Sequence, residues 1–303
     1  MKTIAMVNQK GGCGKTTTAI NTAAALAEMG KRVLLIDLDP QAHATIGLGL
    51  DPNSFHRTIY DVLTKPRTGF PDVAVSTRIS RLHLAPCNVL LASAELELAG
   101  TPGKELLLAR GLRDVRDNYD ICVIDCPPAL GVLTLNALVS STDIIVPVQV
   151  HYYALEGLRR LLETVSIIRQ RFHPCSMENI GLLLTFVEER TTFSRQVQQQ
   201  LREIFGNLVF DTVIHRNVRL AEAPSAGEPV MTYASQSKGA SDYRALAAEI
   251  LQTVPTPAEP VEERMRRGIQ KQLSTIFAGV WIPQRQGPPA PAAPIRPQSI
   301  EST

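Results

Sequence analysis

Residues 8–18 read NQKGGCGKTTT, and their types and spacing carry phosphate chemistry. Glycines let main-chain N–H groups curl around phosphate oxygens. A lysine placed directly after them reaches the β- and γ-phosphates, and the hydroxyl that follows is a magnesium ligand. Gly11, Gly12, Cys13 and Gly14 form the expected cradle, Lys15 the charge and Thr16 the metal-binding hydroxyl, with Thr17 completing the turn into the helix. The glycines do not fall at the spacing of the common Gly-x-x-x-x-Gly-Lys-Ser/Thr loop. The setting is nevertheless that of a nucleotide loop, with an apolar strand pattern at 3–7 before it and a helical pattern at 16–29 after it, stopped by Gly30. The bland alternative is a glycine-rich turn that binds nothing. A second lysine, Lys10, stands at the loop entrance. It adds positive charge in cis, or projects across a two-fold interface onto a partner's nucleotide.

Such a loop needs carboxylates at the carboxyl ends of neighbouring strands. Asp125 ends the apolar run 121–124 and fits the acid that holds magnesium, directly or through water. Asp37 and Asp39 end the run 32–38 and, two apart on a strand, point the same way. A carboxylate there can orient the water that attacks a γ-phosphate. Asp39 is assigned that catalytic role beside Lys10 and Lys15, and Asp37 a supporting one near the metal; capping of the next segment is Asp37's structural alternative. The expected cofactors are a nucleoside triphosphate, which the resemblance described below makes ATP, and Mg²⁺.

The elements that must position these groups alternate. Further strand patterns lie at 82–85, 143–150 and 180–185, and helical ones at 93–99, 105–116, 154–171, 192–205 and 238–253. Alternation predicts an α/β fold, a mostly parallel twisted sheet with helices on both faces, and the loop at 8–18 adds that it is of the P-loop NTPase type. The chain of 303 residues has room for a substantial core, and its net charge of +2 means that any polyanion must meet a local patch. Five scattered cysteines without a Cys-x-x-Cys pair predict reduced thiols, neither a disulfide framework nor a zinc site. No leader pattern opens the chain and no apolar run is long enough to span a bilayer, which predicts a cytoplasmic protein.

Composition changes near Pro255, so the domains read as an ATPase unit at 1–254, a linker and helix at 255–282, and a proline-rich disordered tail at 283–303. Val261, Met265, Ile269, Leu273, Ile276, Phe277 and Val280 recur at helical spacing, with Arg264, Arg266, Arg267 and Lys271 among them. This basic amphipathic helix docks on the domain or a twin subunit, or else meets a membrane or a partner.

Lys-Gly-Gly-x-Gly-Lys-Thr-Thr resembles the deviant Walker A loop of the ParA/MinD ATPases. VLLIDLDPQ at 33–41, IDCPP at 124–128, LTLNA at 133–137, YALEG at 153–157 and RNVRLAEAPS at 216–225 narrow the likeness to the ParA/Soj partitioning ATPases over about residues 1–253. The resemblance implies an ATP-sandwich homodimer in which Lys10 crosses to the other subunit. It implies, further, adenine contacts at Pro224 and its neighbours, nonspecific DNA binding through Arg190 and Arg219, and slow hydrolysis stimulated by a ParB/Spo0J-like protein, in a nucleoid-associated chain. Arg216, Arg195 and Lys238 join the same basic face, although Glu188, Glu189, Glu203 and Glu222 are interleaved and a solvated mixed surface is the alternative. Two departures stand out: QAHA at 41–44 in place of Gln-Gly-Asn-Ala, and AGE at 226–228. A MinD-like membrane ATPase through 261–282 is one rival reading, and an adaptor that positions a protein cargo is another. An iron–sulfur reductase lacks its cysteines in the right setting, and no helix-turn-helix precedes the loop.

Overall fold

The computed structural model describes residues 1–150, 154–172 and 177–252. The expected amphipathic helix at 261–280 and the tail at 283–303 lie outside the described residues.

Seven strands form one sheet: β1 (Lys2–Met6), β2 (Val33–Asp37), β3 (Val75–Ser76), β4 (Leu82–Ala85), β5 (Ile121–Asp125), β6 (Asp143–Gln149) and β7 (Asn179–Thr185). Their order is β3-β4-β2-β5-β1-β6-β7, and only the β3–β4 pair is antiparallel. The near-continuous apolar runs follow from this, because a parallel strand buried on both faces has no polar side to show. One core packs Leu34, Ile36, Cys122 and Ile124 on one face of the sheet, and a second packs Val33, Leu35, Val123, Ile4 and Met6 on the other.

Eleven α-helical segments are described: α1 (Lys15–Glu28), α2 (His43–Gly47), α3 (Ile59–Thr64), α4 (Leu91–Glu97), α5 (Leu107–Arg113), α6 (Val132–Ser140), α7 (Ala154–Arg171), α8 (Thr192–Phe205), α9 (Val218–Glu222), α10 (Val230–Tyr233) and α11 (Lys238–Gln252). The α1 helix is rich in alanine, which keeps it close to the sheet and to α11, where the Thr18 and Tyr243 hydroxyls meet at 3.2 Å. Gly30, at φ 85, ends it in the left-handed conformation that glycine adopts without strain.

Sheet register sets the site. Met6, Asp125 and Asp37 are partners across β1, β5 and β2, so the phosphate loop leaves the sheet at the level of the two carboxylates. The sequence reading missed α6, whose continuous apolar run has no helical stripe because the helix is buried between α5, α7 and the sheet.

Candidate nucleotide site

The phosphate loop is a strand-to-helix turn shaped by glycine. Gly12 (φ 70) and Gly14 (φ 92) adopt left-handed conformations, and a Cβ at Gly11 or Gly12 would face open space. Room over the glycines is what an anion held by main-chain N–H groups requires. The first turn of α1 holds no acidic residue, and Gly14 offers no side-chain cap. Its N–H groups and the helix dipole are therefore left for an anion.

Side chains hold the loop in place. Asn8 donates through Nδ2 to the Pro147 carbonyl at 2.7 Å, and its Oδ1 accepts the Lys10 N–H at 3.0 Å. Lys15 is buried, and its ammonium donates to the Lys10 carbonyl at 3.3 Å, where the Cys13 thiol also points at 3.2 Å. Burial pushes the Cys13 thiol up despite Lys15 beside it, so it stays protonated and serves as a donor, not a nucleophile. Thr185 at the end of β7 donates to the Cys13 carbonyl at 2.9 Å.

The two acids on the sheet are fully buried. Neither Asp125 oxygen has a hydrogen-bond partner among the described residues, and burial, then the neighbouring Asp37, pushes its carboxyl well above the usual range; the nearby Thr16 hydroxyl pulls the other way. Asp37 is pushed up to about 6 by burial, although Thr45 donates to its Oδ2 twice, from N–H at 2.8 Å and from Oγ1 at 2.7 Å. Two buried carboxylates with a hydroxyl alongside are a donor set for a hard divalent cation, which would let both ionise. The residues present therefore fit magnesium. Asp37 at the same time does the capping job foreseen as its structural alternative, since the Thr45 N–H belongs to the first turn of α2.

A cavity of about 430 Å³ opens over the loop, lined by the loop glycines with Lys15, Thr16, Asp39, Gln41, His43 and Phe186 among others. It gathers the predicted Gly11, Gly12, Gly14, Lys15, Thr16, Thr17 and Asp39. Asp39 accepts the Gln41 N–H through Oδ1 at 3.0 Å, which orders the turn into α2. Pro224 does not line this cavity; it is exposed on the short turn after α9. Lys10 is exposed, and its ammonium donates to Gln149 Oε1 at 3.0 Å.

Sequence reasoning passed over His43 and Phe186. Phe186 follows β7 with φ 55, a conformation costly for a bulky residue, and stands 3.7 Å from where a Gly14 Cβ would be. Backbone strain at a cavity wall is the signal, and it is invisible in residue types.

The basic candidates are spread over two neighbouring segments and are largely paired. Arg216 meets Glu188 at 2.7 Å and Arg219 meets Glu222 at 2.8 Å, while Arg190 is exposed. His215 joins the segments, with Nδ1 at 2.9 Å from Asp242 and Nε2 at 2.8 Å from Glu189.

A family model described as an AAA domain matches residues 1–177. The sporulation initiation inhibitor protein Soj of Bacillus subtilis is 46% identical over 82% of this chain and 98% of its own length. The chromosome-partitioning ATPase Soj of Thermus thermophilus is 47% identical over 84% of this chain and 97% of its own. Among solved structures, a cobyrinic acid a,c-diamide synthase of Mycobacterium smegmatis with bound ATP analogue and magnesium superposes with a TM-score of 0.74. It is 35% identical and covers 86% of this chain and 100% of its own.

Proposed function

The chain belongs to the ParA/Soj family of partitioning ATPases, and from that premise we propose that it is a slow, nucleotide-driven switch that dimerises on ATP, holds nonspecific DNA and lets go on hydrolysis. One observation carries the reading: Asp125, buried and unpartnered among the described residues, lies in register with Asp37 beside a glycine cradle and an uncapped helix N-terminus.

In this reading the cradle, Lys15 and the first turn of α1 bind the triphosphate. Thr16 and Asp125 would hold Mg²⁺, with Asp37 beside them, and the ion would supply charge neutralisation for phosphoryl transfer. Asp39 accepts a proton from the attacking water or orients it. Lys10 adds positive charge to the nucleotide of a second copy, so the complete site needs two chains. Adenine contacts are assigned to Pro224 and its neighbours, outside the cavity over the loop that Phe186 lines.

Dimerisation brings Arg190, Arg216 and Arg219 of two copies onto one face for phosphate contacts. A ParB/Spo0J-like protein accelerates hydrolysis and ends the bound state. Among the described residues no helix is long and apolar enough to cross a membrane. The cytoplasmic, nucleoid-associated location follows from the DNA contact, and the cargo is a chromosome or plasmid.

Cosedimentation with DNA and with anionic vesicles, each with ATP, ADP or no nucleotide, tests the switch. ATP-dependent pelleting with DNA is expected. Pelleting with vesicles alone would instead favour the MinD-like reading, and nucleotide-independent behaviour with no turnover would favour an adaptor.

A further inference from the structure

We propose that His215 is a positioning residue for the arginine face: it draws the Glu189 carboxylate toward α11, so that Arg190 and Arg216 meet phosphate with one competing acid fewer in each subunit. The inference rests on the reading of Arg190, Arg216 and Arg219 as DNA contacts.

The backbone sorts the acids. The Val187 N–H donates to the Ile214 carbonyl at 3.1 Å and the Arg216 N–H to the Val187 carbonyl at 3.0 Å, which sets residues 187–189 beside 214–216. Successive side chains then take different partners. Arg216 meets Glu188 at 2.7 Å, and His215 meets Glu189 at 2.8 Å through Nε2. The other side of the ring is anchored. Asp242, buried in α11, accepts both the His215 main-chain N–H and Nδ1 through Oδ2, each at 2.9 Å, and its Oδ1 lies 3.3 Å from the Lys238 ammonium. The imidazole is thus held from behind, and Nε2 is aimed at Glu189.

The partners dictate the chemistry. An ionised carboxylate only accepts, so an imidazole with one at each nitrogen satisfies both by donating twice. In that form the ring balances Glu189, while Lys238 balances Asp242. Glu189 is 74% exposed, and its hydrogen bond with His215 holds its carboxyl below the usual range. Glu188 and Glu222 already engage Arg216 and Arg219. A Glu189 released from the ring would add a third acid, next in sequence to Arg190, and tip the face toward a solvated mixed surface.

The test is a double-mutant cycle of His215→Asn and Glu189→Gln, read by the affinity for a DNA duplex with a non-cleavable ATP analogue. Asparagine has a single donor group, which cannot serve carboxylates on opposite sides of the ring. In the parental chain His215→Asn is expected to weaken DNA binding about three- to tenfold at low salt, the scale of one exposed ion pair competing in each of two subunits. In the Glu189→Gln background the same substitution should change it by less than about twofold, because no carboxylate is left to release. A loss of equal size in both backgrounds overturns the inference, since a histidine acting through its own charge or through the fold gives that result whatever stands at 189. An unchanged affinity in His215→Asn overturns it too. The tie is also read without DNA and without altering His215: the Glu189 carboxyl ¹³C signal, assigned by its loss in Glu189→Gln, should titrate below the ordinary glutamate range. A Glu189 that titrates within that range overturns the inference. A parental chain that binds no duplex with the analogue overturns the DNA reading itself, and the inference with it.

Discussion

Asp37 and Asp125 are register partners at the ends of adjacent parallel strands, and both are fully buried. Neighbouring buried carboxylates repel: after burial, Asp37 raises the affinity of Asp125 for a proton, and burial first, with Asp39 adding to it, raises that of Asp37. They differ in what surrounds them: Thr45 satisfies Asp37, whereas both oxygens of Asp125 are unpartnered among the described residues. That asymmetry divides the labour. Asp37 fixes α2, and Asp125 is the carboxylate to which the proposed function assigns the cation.

The first prediction concerns pH and magnesium. Burial holds the Asp37 carboxyl up to about 6, against an ordinary 3.8. Between these values the folded chain binds more protons than the unfolded one, so metal-free stability falls as pH rises from about 4 to about 6. The whole interval corresponds to about 3 kcal/mol, in place above pH 6. Magnesium should therefore raise the Tm more at pH 7.5 than at pH 5, because it binds the ionised pair. Asp125→Asn should raise the metal-free Tm at pH 7.5 by a few degrees and remove the magnesium increment. Calorimetry with and without Mg²⁺ checks this, and an unchanged increment in Asp125→Asn would place the ion elsewhere.

Lys15 and Asp39 should separate binding from turnover. Lys15→Ala removes the buried lysine at the loop and is expected to abolish nucleotide binding and every nucleotide-dependent behaviour. Asp39→Ala keeps the loop intact, so it should bind ATP normally while hydrolysis falls at least about 100-fold, the scale of a lost general base. It should accumulate as the ATP-bound dimer on DNA. Phosphate release at the parental rate in Asp39→Ala would mean that another group orients the water.

The residues that the structure gathers at the proposed site were legible in the sequence to the extent that they are set by residue type. Glycines, Lys15, Thr16, Asp39 and Asp125 are recognisable because phosphate and magnesium demand those groups after strands. The parallel strands could be found because burial on both faces leaves uninterrupted apolar runs. What escaped depends on conformation or on distance along the chain. Phe186 lines the cavity in a positive-φ conformation, and Gln149 meets Lys10 across 139 residues. The α2 and α9 helices, five residues each, are too short to carry a periodic signal.

Backbone strain gives a stability test. Ala42, just before α2, has φ 55, which costs an L-residue about 1 kcal/mol. Ala42→Gly should recover part of that, less the larger entropy of an unfolded glycine, and raise Tm by about 1–3 °C. Gly227→Ala should do the reverse: at φ 67, its new Cβ would lie 2.5 Å from the Gly49 Cα. Two backbones would have to part, at about 1–3 kcal/mol. Chemical denaturation of both variants checks the signs. A lower Tm for Ala42→Gly would show that Ala42 is not strained in solution.

The arginine face allows the last prediction, which turns on ion pairing. Arg216 and Arg219 are engaged by Glu188 and Glu222, so a DNA phosphate must displace a carboxylate in each case. Exposed pairs of this kind contribute at most about 1 kcal/mol, and a polyanion that also releases counterions displaces them readily. Removing the competitor should therefore help: Glu188→Gln is expected to tighten DNA binding at low salt. Arg190→Ala, Arg216→Ala and Arg219→Ala should each weaken it for all sequences and reduce the salt slope by about one for every phosphate that a subunit no longer neutralises. Fluorescence anisotropy with a non-cleavable ATP analogue across a salt series reads both quantities. If none of the three alanines alters the slope, these arginines are a solvated surface and the DNA path runs elsewhere on the dimer.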